Sequence, residues 1–413
     1  MTGTTLAQVI GVLISPIITR LYSPEDFSVL EQFSMFMNIL VVVVTGKYEF
    51  AIMQPKERDD ARHLVALTIR IAAISCLLLL VLALTSSGYM ASWLNNEDLT
   101  KWIWLLPFAL FPFAVYNSVN YWFSRLQQYK VAAISKVWFS LASEPLKVMF
   151  GSMQAGAPGL LVSTTSGNII AGFYSWFKFK KSEVKGIGKL VPGKLKELAI
   201  AYKEYPLFTI WGSIFNRLAQ WAHVGLFSHY FGLPALEAIG FMALSRRIFM
   251  YPLSILSQSF SQVFYQRISQ IEDAVELRKF YNRNLWRFAA VAVLFVLVVI
   301  VLPANTMAVI FGEKWGKALD FLKILCYWYA MNFVVSSLSF IMYRLKLQRL
   351  SLVLDATHFI MTFVAVWGTF TMGMDVIEAL KWLVAAKVVY LALNLVITNY
   401  YLLKNIKTAR SEQ

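Results

Sequence analysis

The chain has 413 residues, of which 58% are hydrophobic and only 15% charged, and its mean hydropathy is +0.59; an ordinary soluble globular class is excluded. A net charge of +15 would suit a nucleic-acid binder if pooled on one face, but apolar runs separate the basic clusters, so nucleic acid is not an expected partner.

In chain order, apolar runs fall at roughly 4–21, 27–53, 63–85, 101–123, 131–150 and 158–177. A second set follows at roughly 206–231, 235–262, 285–303, 319–343, 351–372 and 378–403. Each is long enough to cross a hydrocarbon core about 30 Å thick. The expected fold is therefore an all-α integral membrane protein of about twelve transmembrane helices. Pro16, Pro107, Pro112, Pro145 and Pro252 interrupt these runs, which is tolerated where neighbouring helices or cavity water satisfy the freed carbonyls.

Between the two sets lies the one long polar run, residues 178–205, with eight Lys against Glu183, Glu197 and Glu204. Pro192 opens a short helix there and Pro206 closes it. Leu195, Leu198, Ala199 and Tyr202 share one face, the pattern of a helix lying in the headgroup plane. The predicted organisation is an N-terminal lobe at 1–177, a basic cytoplasmic linker with that interfacial helix at 178–205, and a C-terminal lobe at 206–413. Alternate connections, the linker among them, hold twenty-four Lys and Arg, whereas the intervening ones hold only Arg20, Lys101, Lys314 and Lys317. By the positive-inside rule both termini are then cytoplasmic. Residues 1–20 lack a basic n-region and a small-residue cleavage site, so no cleavable signal peptide is expected.

Polar residues inside the runs recur at helical spacing. The first run shows Thr4, Gln8, Gly11 and Ser15, and the second Glu31, Ser34, Asn38 and Thr45. The seventh repeats this with Asn216, Gln220 and His223 beside Arg217, and the eighth carries Arg247, Tyr251, Ser254, Gln258 and Ser261. The ninth has no polar side chain between Phe288 and Leu302, and the third has little beyond Thr68, Arg70 and Ser75. Interhelical hydrogen bonding accounts for any single stripe. Stripes at repeat-related positions point instead to two six-helix lobes related by a pseudo-two-fold repeat, with Gln8, Asn38, Asn216, Gln220 and Gln258 lining a polar cavity.

Ten basic residues fall within these runs: Lys47, Arg70, Lys136, Lys147, Arg217, Arg246, Arg247, Lys323, Lys381 and Lys387. Lys136, Lys147, Lys323 and Lys381 lie near enough to an end to extend to the interface. Arg217, Arg246, Arg247 and Lys387 do not, and cations at that depth usually face a bundle interior or a water-filled cavity. A cationic interior implies an anionic cargo. Arg suits a diphosphate through its paired donors, although a carboxylate or an anionic sugar satisfies the same electrostatics. Glu31, Glu144 and Asp355 are candidates for a coupling-ion site, the bland reading being that each neutralises a nearby cation.

Signals for an enzyme are weak. His63, His223, His229 and His358 form no HExxH, and neither a Walker A sequence nor GxGxxG occurs. No metal site or cofactor is expected. Cys76 and Cys326 each sit in an apolar run with no CxxC, which suits packing residues.

The segments AQVIGVLISPIITRLYSPEDF at 7–27, KYEFAI at 47–52 with Pro55 and ERDDA, EAIGFMALSRRIFMYPLSILSQSFSQVFYQRIS at 237–269 and FGEKWGKALDFLKIL at 311–325 resemble the Wzx-type O-antigen and polysaccharide flippases of the MOP superfamily. These are relatives of MATE exporters and of the lipid II flippase. Ser28 stands where that family usually has Gly. The resemblance implies a MATE-like arrangement of lobes around a cationic cavity in the bacterial inner membrane. It implies transfer of undecaprenyl-diphosphate-linked oligosaccharide repeat units from the cytoplasmic to the periplasmic leaflet, by alternating access coupled to a cation gradient (H⁺ or Na⁺). On the matching segments, Arg20, Lys47, Glu49, Arg246 and Arg247 lie near gates or cargo. The implied partners are membrane lipids, a polysaccharide polymerase and a chain-length regulator. Competing readings are a MATE-like exporter of small cationic molecules, which a cationic cavity disfavours, a membrane-embedded glycan polymerase or ligase, and a purely structural assembly partner.

Overall fold

The computed structural model describes residues 2–85, 96–183, 191–345 and 347–411. Among them every regular element is a helix. The sequence signals act locally as expected. At the start of Pro24–Val44 the Ser23 hydroxyl accepts from the Asp26 N–H at 3.3 Å, while the Asp26 carboxylate accepts from the Ser23 N–H at 2.9 Å. This reciprocal cap, with Pro24 at the first helical position, explains the SPED sequence in physical terms.

The chain divides into two compact units, Met1–Leu236 and Glu237–Gln413. The division falls one helix later than the lobe boundary drawn from sequence, because Ile210–Phe231 packs on Pro24–Val44. In the first unit we label the long helices α1 (Thr2–Leu21), α2 (Pro24–Val44), α3 (Arg58–Thr85), α4 (Leu106–Arg125), α5 (Tyr129–Ser152) and α6 (Gly156–Glu183). The short α7 (Pro192–Ala201) and α8 (Ile210–Phe231) follow. Helix α1 lies on α5, and α6 packs on both α4 and α5. Tyr22 wedges into this group: its hydroxyl donates to the Lys147 carbonyl at 2.8 Å. A Cβ on Gly151 would lie 2.7 Å from the Tyr22 ring, and one on Gly159 would lie 2.8 Å from its hydroxyl. Only glycine lets the three backbones close around that ring.

The second unit holds α9 (Leu233–Ser245, beginning just before the boundary), α10 (Tyr251–Gln270), α11 (Ala274–Ile300), α12 (Ala318–Leu338), α13 (Gln348–Thr371) and α14 (Val376–Ser411). Helix α12 packs against α10, α11 and α14, and α13 pairs with α14. Its aromatic core includes Phe264, Tyr281, Phe288 and Phe333, the last two edge to face with ring centres 5.9 Å apart.

Both units carry the same device. Arg125, at the end of α4, donates to the carbonyls of Ile52, Met53, Pro55 and Lys56 in the connection after α2. Arg344, just past α12, donates to the carbonyls of Ile268 at 3.2 Å and Ile271 at 3.0 Å, where α10 ends. In each case a guanidinium satisfies carbonyls that a helix or turn leaves unpaired. The positions correspond under a six-plus-six repeat.

Among the described residues eight helices are long and apolar enough to cross a membrane. Of the twelve expected runs, those that fall short coincide with α1, α5, α6 and α8. Polar groups lower the hydropathy of the last three: Glu144 and Lys147 in α5, Ser163, Thr164, Thr165, Ser166 and Asn168 in α6, and Asn216, Arg217, Gln220 and His223 in α8. On α3, Leu77, Leu78, Val81 and Leu84 are exposed, as are Val293, Leu294, Leu297 and Val298 on α11. Apolar belts of this extent are stable only against lipid, and the chain is a multi-pass membrane protein.

Helix α7 begins at Pro192 and ends at Ala201, before Pro206. Its apolar face packs against the first unit: Leu195 and Leu198 are buried, and Leu198 joins a core that includes Ala61, Leu64 and Tyr48. Tyr48 donates to the Ala199 carbonyl at 2.9 Å. Lys194 pairs with Asp59 at 3.1 Å and with Asp60, and the Val191 N–H donates to Nε2 of His63 at 3.1 Å. Hydrogen bonds to Asp60 and then Asp59 hold the Lys194 ammonium above the usual lysine range. Lys185 and Lys189 of the linker lie outside the described residues.

Candidate functional site

In the first unit the site grows from the end of α2. Gly46 and Lys47 both take left-handed backbone conformations, each with φ of 59°, and a left-handed lysine is uncommon enough to be a constraint rather than an accident. The turn brings Lys47 to 3.6 Å from the Glu49 carboxylate and sets its ammonium 4.7 Å from the centre of the Phe50 ring. Both charged side chains are buried. From α8, Arg217 donates to the Asn38 side-chain oxygen at 3.5 Å and lies within electrostatic reach of Lys47 and Tyr121. Arg217 is half-buried. Two cations and one carboxylate, with an amide and a phenol beside them, make a net positive cluster whose donors match an anion presenting several oxygens.

Neighbouring stripe residues are partly satisfied within their own helices. Asn38 donates to the Ser34 carbonyl at 2.8 Å, Ser15 to Gly11 at 2.6 Å, and Gln220 to the Asn216 side chain at 2.8 Å. Such bonds hold polar groups in an apolar helix without requiring a cavity. Gln220 and Gln258 are exposed, and Gln8 leaves its buried Oε1 without a hydrogen-bond partner. Arg20 is exposed at the end of α1, and Glu31 is buried in α2.

Glu144 and Lys147 form an ion pair at 2.8 Å inside α5, both buried. Lys147 therefore does not extend to the interface as its position near a helix end suggested: the carboxylate one turn earlier offers a partner that the interface would have to outbid. Glu144 neutralises that cation.

The second unit builds a different cluster. Arg246 and Arg247 open a π-helical turn, Arg246–Met250, between α9 and α10. Pro252 lies two residues beyond it. A proline there removes one backbone donor and pushes away the carbonyl four residues earlier, which the wider turn accommodates. Arg246 is buried and Arg247 half-buried. Arg246 is near enough to Lys387 on α14 for their charges to interact. Lys387 has no exposed surface (0%); in this conformation it does not line an open cavity, because three helices enclose it. Its ammonium lies 3.3 Å from Nε2 of His358 and 3.5 Å from the Thr362 hydroxyl, both on α13. From α12, the Trp328 ring covers it at 4.5 Å. His358 in turn stacks on Tyr390 with ring centres 4.1 Å apart and planes 6° from parallel. Asp355 is half-buried, within electrostatic reach of Tyr390.

His358, Thr362, Trp328 and Tyr390 were not singled out by the sequence reading. A signal was present: Asp355, His358 and Thr362 recur at i, i+3 and i+7 on one helix, and Lys387, Tyr390 and Asn394 do so on the next. Among the described residues no group of three or more His, Cys, Asp or Glu could hold a metal ion.

A family model described as "Polysaccharide biosynthesis protein" matches residues 17–320. No curated protein matches the sequence. The fold is similar to that of a structure titled "Lipid II flippase MurJ, inward closed conformation", with a TM-score of 0.70 at 11% identity over 98% of this chain and 87% of that one. A multidrug resistance MATE family transporter of the MOP superfamily, in an inward-facing conformation, gives a TM-score of 0.62 at 12% identity, covering 97% of this chain and 96% of the other. A MOP superfamily transporter from Pyrococcus furiosus gives 0.51 at 14% identity, covering 97% and 93%. At these identities the likeness is one of fold.

Proposed function

Because the chain belongs to the polysaccharide biosynthesis protein family and folds like MOP-superfamily transporters, we propose that it is a flippase for undecaprenyl-diphosphate-linked oligosaccharide repeat units. The observation that carries this reading is the cluster at Arg217: a half-buried arginine held by Asn38, with Lys47 within electrostatic reach, set among apolar helices. A cation placed there is costly unless function uses it. A diphosphate offers two adjacent anionic groups to a planar fork of donors and a neighbouring ammonium. Cationic small molecules would be repelled by the same cluster.

In this reading the cargo moves from the cytoplasmic to the periplasmic leaflet of a bacterial inner membrane by alternating access. Both termini are cytoplasmic, and a polymerase and chain-length regulator act on the product. The lipid II flippase in a similar fold supports a polyprenyl-linked glycan as the cargo class.

The test is a deletion strain complemented with this chain or with its Arg217→Ala variant. Wild type restores surface glycan. The variant, at equal membrane abundance, leaves lipid-linked single units facing the cytoplasm. If instead single units reach the surface in the deletion strain and only polymer length changes, the chain acts after translocation and the proposal fails.

A further inference from the structure

The two stripes that meet between α13 and α14 hold titratable groups for which the cargo reading has no use. Lys387 is fully enclosed, yet its Nζ is 3.3 Å from an imidazole nitrogen. An ammonium carries no acceptor, so when Lys387 is charged it donates, and Nε2 of His358 accepts with its own proton on Nδ1. The lone pair that accepts this bond can also take the proton. Stacking on Tyr390 at 4.1 Å holds the ring in plane for that transfer, and the Trp328 face stabilises the cationic form by cation–π attraction.

We propose that Lys387 and His358 form a proton-binding site of the second unit, loaded and emptied once per transport cycle. Transfer breaks one Nζ–H bond and forms one Nε2–H bond, leaving a neutral amine beside an imidazolium. Release of that proton to water restores the neutral imidazole, and uptake from water on the other side of the membrane restores the ammonium. The surroundings fit a site that holds one proton rather than two. Arg246 places a further positive charge close by, and an imidazolium beside an ammonium in so small a space is strongly disfavoured.

The groups facing Lys387 come from every side. Helix α13 supplies His358 and Thr362, with Asp355 one turn away near Tyr390. The turn before α10 supplies Arg246, α12 supplies the Trp328 ring, and α14 itself supplies Tyr390. Helix α11 carries its charges between Glu276 and Arg287, in its first half. The carboxylate pairing seen at Glu144 does not recur as the exchange step, because its partner Lys147 lies in the same helix and moves with it.

This inference concerns the driving force and rests on the transport reading, so its first test is independent of cargo. The full-length chain contains four His, and ring-¹⁵N histidine labelling in lipid nanodiscs therefore yields a countable set of signals. The His358→Gln variant assigns the one of interest. The expected result is an imidazole with Nδ1 protonated and Nε2 accepting, whose signals shift as pH is raised from about 5 to 9 and Lys387 gives up its proton. In Lys387→Met that shift is absent. Ring signals that are constant over that range, or that titrate alike in wild type and Lys387→Met, overturn the proposal.

The second test uses proteoliposomes carrying a polyprenyl-diphosphate-linked oligosaccharide. An imposed pH gradient accelerates flipping by wild type, whereas in His358→Gln and Lys387→Met the rate does not respond to the gradient. Retained acceleration in both variants overturns the proposal. If wild type flips nothing under any gradient while the nitrogen titration behaves as stated, the cargo reading falls and the proton site stands.

Discussion

Arg217 and Lys387 look alike in sequence, each a cation far from either end of its helix, yet they occupy different environments. Arg217 is half-buried and held by Asn38, whereas Lys387 is wholly enclosed. Arg217→Ala removes charge-assisted hydrogen bonds worth about 1.5–3 kcal/mol each, so export falls roughly tenfold or more with membrane abundance unchanged. Arg217→Lys keeps the charge but loses the paired donors, and is expected to recover only part of the rate; quantitative immunoblotting beside a surface-glycan assay checks both. Asn38→Ala acts in the same direction with a smaller effect, since its bond to Arg217 is long at 3.5 Å. Glu144 and Lys147 behave differently. Removing one partner of a buried pair costs about 3–5 kcal/mol, while replacing both with apolar residues is often neutral. Glu144→Gln should therefore lower the melting temperature in detergent, and the Glu144→Leu/Lys147→Met double variant should restore it with transport intact. Sequence placed these charges inside helices correctly. Accessibility was not legible, because it depends on which faces of α12, α13 and α14 meet.

At the scale of elements, local signals read well and long-range contacts less so. The Ser23 cap and the start of α7 at Pro192 follow from residues within a few positions of each other. The docking of α7 does not: the same amphipathic pattern serves a headgroup surface or a protein surface, and only Asp59, Asp60 and His63, more than a hundred positions away, decide it. Replacing Lys194 with Ala should release α7, seen as faster proteolysis between 183 and 192 in proteoliposomes. The raised folded-state value of Lys194 means that this clasp is fully present below the unfolded lysine value of about 10.4. It is lost only as pH rises through the still higher folded value, so wild-type cleavage should not change across the neutral range. Gly159 tests the wedge at Tyr22. A methyl there meets the hydroxyl and the Phe150 Cβ at 2.8 Å, and Gly159→Ala should cost about 1–3 kcal/mol by overpacking, read as a lower melting temperature. The π turn before Pro252 was not foreseen as a turn type, although the proline was marked as an interruption. Pro252→Ala should let a regular helix form through Arg246–Met250, turning Arg246 and Arg247 to new directions and slowing export without loss of protein.

For the molecule as a whole, composition alone fixed the class, since so apolar a chain has few stable outcomes outside a bilayer. The count of crossings was harder to read: among the described residues eight helices meet length and apolarity together, and α5, α6 and α8 fall short because polar residues interrupt their apolar runs. The repeated anchoring of a connection by Arg125 in one unit and Arg344 in the other ties the two halves to one architectural plan. Sequence placed both Arg in basic connections and attributed them to membrane orientation, without their bonding to carbonyls some 70 residues earlier. The central proposal is that the cationic cluster at Arg217 carries a diphosphate-linked glycan across the bilayer. Its most direct test is a reconstituted assay in which a fluorescent polyprenyl-diphosphate oligosaccharide, placed on one leaflet of liposomes, is scored for appearance on the other. The account predicts transfer by wild type well above empty liposomes and roughly tenfold less by Arg217→Ala. Wild-type transfer equal to that of empty liposomes, or equal rates for wild type and the variant, would contradict it.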